Sequence, residues 1–200
     1  MNRLALVFAA LFALSAPLKA EVPEVHFDGF MGLPYNQVSV EVSREGESLD
    51  EFVVRIAPVL DAFTAQTEWE ACGVLAQDAQ GRYATVIGSV QASLSCATSA
   101  DNVPEGFASI GQTVHSHPNT PDVRPTGSDQ ALQEMFGIRA VPYKRVEKNP
   151  GSRGFSPVDF QAGPGYLVVG GRIMHQEGLR TTRQVGRLES TAPTRRAPLR

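Results

Sequence analysis

The stretch Ser109-Ile110-Gly111-Gln112-Thr113-Val114-His115-Ser116-His117-Pro118 reads as one β-strand closed by a proline. Proline has no N–H to give to a central ladder, so the strand stops there. Side chains alternate faces along a strand, which sends His115 and His117 out of the same face. Two neutral imidazoles so placed can converge on one metal ion, and a catalytic zinc site needs a third protein ligand. The plainer alternative is an exposed strand with two incidental histidines.

Upstream, Glu70-Ala71-Cys72-Gly73-Val74-Leu75 sets a carboxylate at the start of another apolar strand, with a glycine that permits close backbone packing. Taken alone, Glu70 would be an exposed acid. Ala71 to Gln77 and Tyr83 to Val90, joined by Asp78-Ala79-Gln80-Gly81, predict a hairpin. Before it, Ser48-Leu49-Asp50-Glu51 is a capping-box pattern. It leads into Leu49, Phe52, Val53, Ile56, Leu60 and Phe63 at helical spacing, and Pro58 should kink or divide that helix. Alternation of Val38, Val40 and Val42 predicts a first strand over Asn36 to Ser43.

Downstream, residues 119–154 read as an insertion, with prolines at 121, 125, 142 and 150, and Pro118 at its edge, around a short helix from Gly127 to Phe136. Such a long segment reads as a lid, a recognition element or a spacer, and its deletion should alter substrate choice more than zinc content. Tyr166 to Met174 predicts two strands about a Gly170-Gly171 turn. Residues 178–200 carry six arginines against Glu189 and read as a solvated, disordered tail. Helix among mostly antiparallel strands makes an α+β domain, with a three-layer α/β/α arrangement as the alternative.

Arg3, the thirteen-residue run Leu4 to Ala16 and Leu18-Lys19-Ala20 have the form of a signal peptide over residues 1–20. The run is short of the roughly 20 residues of a membrane span. Export to the periplasm or medium follows as an expectation. Removal of Arg3 and Lys19 takes the net charge from −3 to −5, which gives no general attraction to nucleic acid or anionic membrane. Cys72 and Cys96 are the two cysteines, and an oxidising compartment favours a disulfide between them over two separate thiols.

The ordered set of Glu70 before a Cys-Gly strand, His115-Ser116-His117-Pro118, and a later Ser/Thr-x-x-Asp resembles the JAMM/MPN zinc metalloproteases over roughly Leu49 to Met174. Two segments fit the last piece. Phe155-Ser156-Pro157-Val158-Asp159 keeps the serine and leads into the strand at Tyr166; Thr126-Gly127-Ser128-Asp129 replaces it with threonine. Asp159 is preferred, although each segment also fits a helix N-cap.

The resemblance implies a cytidine-deaminase-like mixed sheet flanked by helices. Residues 21–47 would form an N-terminal strand segment and residues 48–177 the catalytic domain. It also implies an exported Zn2+-dependent hydrolase of amide or isopeptide bonds acting on a peptide or protein. His115, His117 and Asp159 would hold the zinc, Glu70 would act as general base on its water, and Ser156 would donate to the oxyanion, worth roughly 3 kcal/mol. The competing expectation is a non-catalytic MPN-like binding module. His26, His175 and Trp69 fall outside the pattern.

Overall fold

A computed structural model describes residues 23–137 and 145–188. The signal-peptide expectation for residues 1–20 and the tail beyond 188 lie outside the described residues.

The capping box forms as its sequence requires. Ser48 Oγ accepts from Glu51 N–H while the Glu51 carboxylate accepts from Ser48 N–H, and together they start α1 (Leu49–Thr67). Such a cap is worth about 1 kcal/mol. One stripe of α1, formed by Phe52, Val53, Ile56, Ala57, Leu60 and Thr64, is buried. Phe52, Ile56 and Leu60 each contribute about 1.5–3 kcal/mol by leaving water. Pro58 does not divide the helix. It lies on the exposed face, where water can satisfy the carbonyl it frees, while the buried stripe runs on past it.

α1 packs on a seven-stranded sheet of order β1-β3-β2-β4-β7-β8-β9. Its members are β1 (Asn36–Val42), β2 (Cys72–Gln77), β3 (Tyr83–Ser89), β4 (Ala108–Ser116), β7 (Gly165–Val169), β8 (Arg172–Gln176) and β9 (Arg183–Arg187). Every neighbouring pair is antiparallel except β4 with β7, so the sheet is mixed. The molecule is a single-domain α+β protein, as composition and periodicity indicated. β2 and β3 form the expected hairpin, closed by Asp78, which accepts from the amides of Gln80 and Arg82. β7 and β8 turn through Gly170 and Gly171, both at positive φ (58° and 70°), the backbone a two-residue hairpin needs.

The parallel β4–β7 pair requires a crossover, and residues 119–154 begin it. They contain a two-stranded ribbon, β5 (Asp122–Val123) with β6 (Glu147–Lys148), and α2 (Gly127–Met135). α3 (Pro157–Ala162) then completes the crossover.

Over residues 178–188 the expectation of a disordered tail is corrected by β9. Arg183–Arg187 pairs with β8, Val185 and Leu188 pack against the core, and Arg183 binds the Asp50 carboxylate of α1 through both terminal nitrogens. With one apolar residue in five, β9 has no alternation to announce it; its side-chain anchor lies 133 residues away in sequence. No helix among the described residues is long and apolar enough to cross a membrane.

Candidate metal centre

The alternation of β4 is visible in the partners of its last residues. Ser116 faces α1, where its Oγ meets Thr64 Oγ1 at 2.6 Å and accepts from Ala71 N–H. His115 and His117 therefore leave the opposite face. His117 lies one residue past β4, yet its N–H still donates to Val168 O, which continues the β4–β7 edge as far as the second histidine.

On that face the two Nε2 atoms stand 3.1 Å apart. Asp159, in the first turn of α3, completes the group: its carboxylate oxygens lie 3.4 Å from His115 Nε2 and 3.6 Å from His117 Nε2. Tetrahedral zinc with bonds of about 2.0–2.1 Å holds its ligand atoms about 3.3 Å apart, so these three donors fit one such ion. His115, His117 and Asp159 are the group among the described residues whose donor atoms could hold a metal. The chemistry of the donors agrees with the spacing. His117 Nδ1 lies 2.9 Å from Gly151 O, and a carbonyl only accepts, so Nδ1 carries the hydrogen and Nε2 is the nitrogen whose lone pair, in the neutral ring, is left for a metal. Two ring nitrogens and a carboxylate facing one another need a cation or protons between them.

Glu70 lies just before β2, with Oε1 3.7 Å from His117 Nε2, and it is buried. Its backbone is fastened on both sides: N–H to Ala92 O, and C=O accepting from Ser89 Oγ. Burial pushes the carboxyl up to about 8, against the pull of His117 and with the help of Asp159. Burial lowers the His117 ring, but the charges of Glu70 and Asp159 outweigh it and the net shift is upward. His115 is lowered by burial, only partly offset by Asp159. Asp159 is raised by burial but pulled well below the ordinary carboxylate range by its bonds to both imidazoles.

Ser156 caps α3: its Oγ accepts from Asp159 N–H, and the Asp159 carboxylate accepts from Ser156 N–H at 2.5 Å. The hydroxyl proton of Ser156 can still donate, because a hydroxyl both donates and accepts. Phe155 sets its ring 6.2 Å from that of His115 and 5.6 Å from Phe160, giving the centre an aromatic flank.

The rival segment serves another purpose. Asp129 is fully buried in the first turn of α2, where its carboxylate accepts from the amides of Ser93, Leu94 and Thr126. It clamps the loop after β3 onto α2 and is no part of the His115–His117 group. That loop is also tied by the Cys72–Cys96 disulfide. Cys72 stands opposite His115 in the β2–β4 ladder, so the bridge lies on the histidine face.

Of the remaining residues, His26 is exposed beside Glu24, and His175 is buried against the Tyr166 ring with Nε2 on Gln112. Trp69 lines an open groove of about 520 Å3 with Leu33, Pro34, Gln91 and Pro125, next in sequence to Glu70. Asn149 and Gly151 reach the centre without any signal in the sequence beyond a turn-forming Asn-Pro-Gly. No protein-family model, curated protein or solved structure matches this chain, so the chemistry of the centre is carried by its own residues.

Proposed function

We propose that this chain is an exported, zinc-dependent hydrolase of amide or isopeptide bonds of the JAMM/MPN type, with a peptide or protein as substrate. The observation that carries the reading is a buried carboxylate, Glu70, set 3.7 Å from a His-His-Asp donor group that it does not complete as an equal member. A site for storage or structure closes its coordination shell, whereas a catalytic site keeps a position open and places a base beside it.

His115, His117 and Asp159 would hold the ion. When bound, zinc supplies a Lewis acid that lowers the pKa of a coordinated water to about 7. Glu70, buried 3.7 Å from His117 Nε2, would take the proton of the attacking water on its carboxylate and pass it to the leaving amine. Ser156 donates its hydroxyl hydrogen to the oxyanion, worth roughly 3 kcal/mol. The Phe155 ring lies beside His115 and gives that side of the centre an apolar wall. Export is consistent with the Cys72–Cys96 bridge, since disulfides persist in oxidising compartments.

The test is cleavage of a mixed peptide library and of an ε-linked isopeptide by zinc-loaded protein and its Glu70→Gln variant. The reading requires cleavage by the parent and a loss of about 10²–10⁴-fold in a variant that keeps its metal. Metal-loaded parent protein that cleaves neither would favour the non-catalytic binding module.

A further inference from the structure

The last part of the crossover insertion bends back onto the second histidine. Asn149 is buried and spends its whole side chain on the backbone: Nδ2 donates to Pro118 O at 2.8 Å and to Thr120 O at 3.1 Å, and Oδ1 accepts from Gly151 N–H at 3.0 Å. Its own N–H donates to Pro121 O. One residue thus fastens the chain leaving His117 and the chain returning to it. Gly151 is buried, and its carbonyl accepts from His117 Nδ1–H at 2.9 Å. The approach is so close that a Cβ at Gly151 would sit 2.4 Å from His117 Nδ1.

We infer that Asn149 is a positioning residue for the metal centre, holding the Gly151 carbonyl against His117 so that Nδ1 keeps the hydrogen and Nε2 presents its lone pair to the ion. Partners behind a metal-bound imidazole select its tautomer and fix its plane, and their loss typically weakens metal binding 10–100-fold. The insertion is therefore part of the ligand set's support. The expectation that its deletion would alter substrate choice more than zinc content gives way to a direct effect on the metal: removing residues 119–154 removes the acceptor for His117.

This inference rests on the metal-centre reading, and its test separates the two. Zinc affinity is measured by chelator competition on the full exported chain, its Asn149→Ala variant and its Gly151→Ala variant. The His117 Nδ1–H proton, assigned by its absence in His117→Ala, is followed by NMR with and without zinc. The expected result is a Kd raised 10–100-fold in Asn149→Ala and faster exchange of the Nδ1 proton with solvent. Should Asn149→Ala fail to fold, Gly151→Ala must give the same two changes, because it displaces the ring and leaves the bonds of Asn149 in place. Parent-like Kd and proton exchange in a folded variant would overturn the inference. If the parent binds no zinc, the centre's reading fails on its own; a protected Nδ1 proton in the metal-free parent, lost in Asn149→Ala, still supports the positioning role, and an unprotected one overturns it.

Discussion

Replacing Asp129 by alanine separates the two Ser/Thr-x-x-Asp segments. Its carboxylate accepts from Ser93 N–H at 3.0 Å, Leu94 N–H at 2.8 Å and Thr126 N–H at 2.7 Å, all in or at the edge of the interior. Each amide left without an acceptor costs about 1–3 kcal/mol, and loss of the capping box costs about 1 kcal/mol more. Partial repair by water at the half-buried Leu94 and Thr126 brings the expected destabilisation to about 4 kcal/mol. For a domain of this size each kcal/mol shifts Tm by about 2–4 °C, so thermal unfolding should move down by roughly 8–16 °C. Zinc stoichiometry, measured well below that Tm, should be unchanged. A Tm within about 2 °C of the parent, or a folded Asp129→Ala protein that has lost its metal, would refute the assignment of Asp129 to structure.

Two further outcomes follow from the same structure. The Cys72–Cys96 bridge closes a loop of sequence separation 24, so a Cys72→Ala, Cys96→Ala double variant should be less stable by roughly 3 kcal/mol in urea unfolding; an unchanged midpoint would contradict this. Asp50 is held below its ordinary range first by the hydrogen bond of Arg183, against burial, and then by the Tyr166 hydroxyl. A lowered folded-state pKa stabilises above the unfolded value near 3.8, and that contribution is lost as pH falls through the lower folded value. Asp50→Asn should therefore lose less stability than the parent between pH 7 and about pH 2, by under about 1 kcal/mol for so exposed a pair, and equal losses would contradict it.

The histidine-bearing strand was legible because a period of two is a property of the backbone: His115 and His117 had to share a face whatever packed behind them. The α1 capping box and the Gly170-Gly171 turn were legible for a similar reason, each being satisfied by residues within a few positions. The choice between Asp129 and Asp159 was legible only as a preference, carried by the retained serine and the strand that follows Asp159, and it was the right preference for the group that faces the histidines. Both occupy the third helical position of the same local box, one capped by Thr126 and the other by Ser156, so their local hydrogen bonding is alike. What distinguishes them is tertiary: one helix begins at the loop after β3, the other in front of the histidines. β9 escaped notice because its partner strand and its Asp50 anchor supply what its composition lacks. Asn149 escaped for the same reason, since an Asn-Pro-Gly turn says nothing about which carbonyls its amide will find.

Metal binding by the purified chain is the most direct measurement on the central claim, namely that His115, His117 and Asp159 form one ion site. Metal-free protein should take up about one zinc per chain with high affinity, and His115→Ala, His117→Ala and Asp159→Ala should each lose it while Asp129→Ala keeps it. Parent protein that binds no zinc under excess metal, or an Asp159→Ala variant that retains it with parental affinity, would contradict the account.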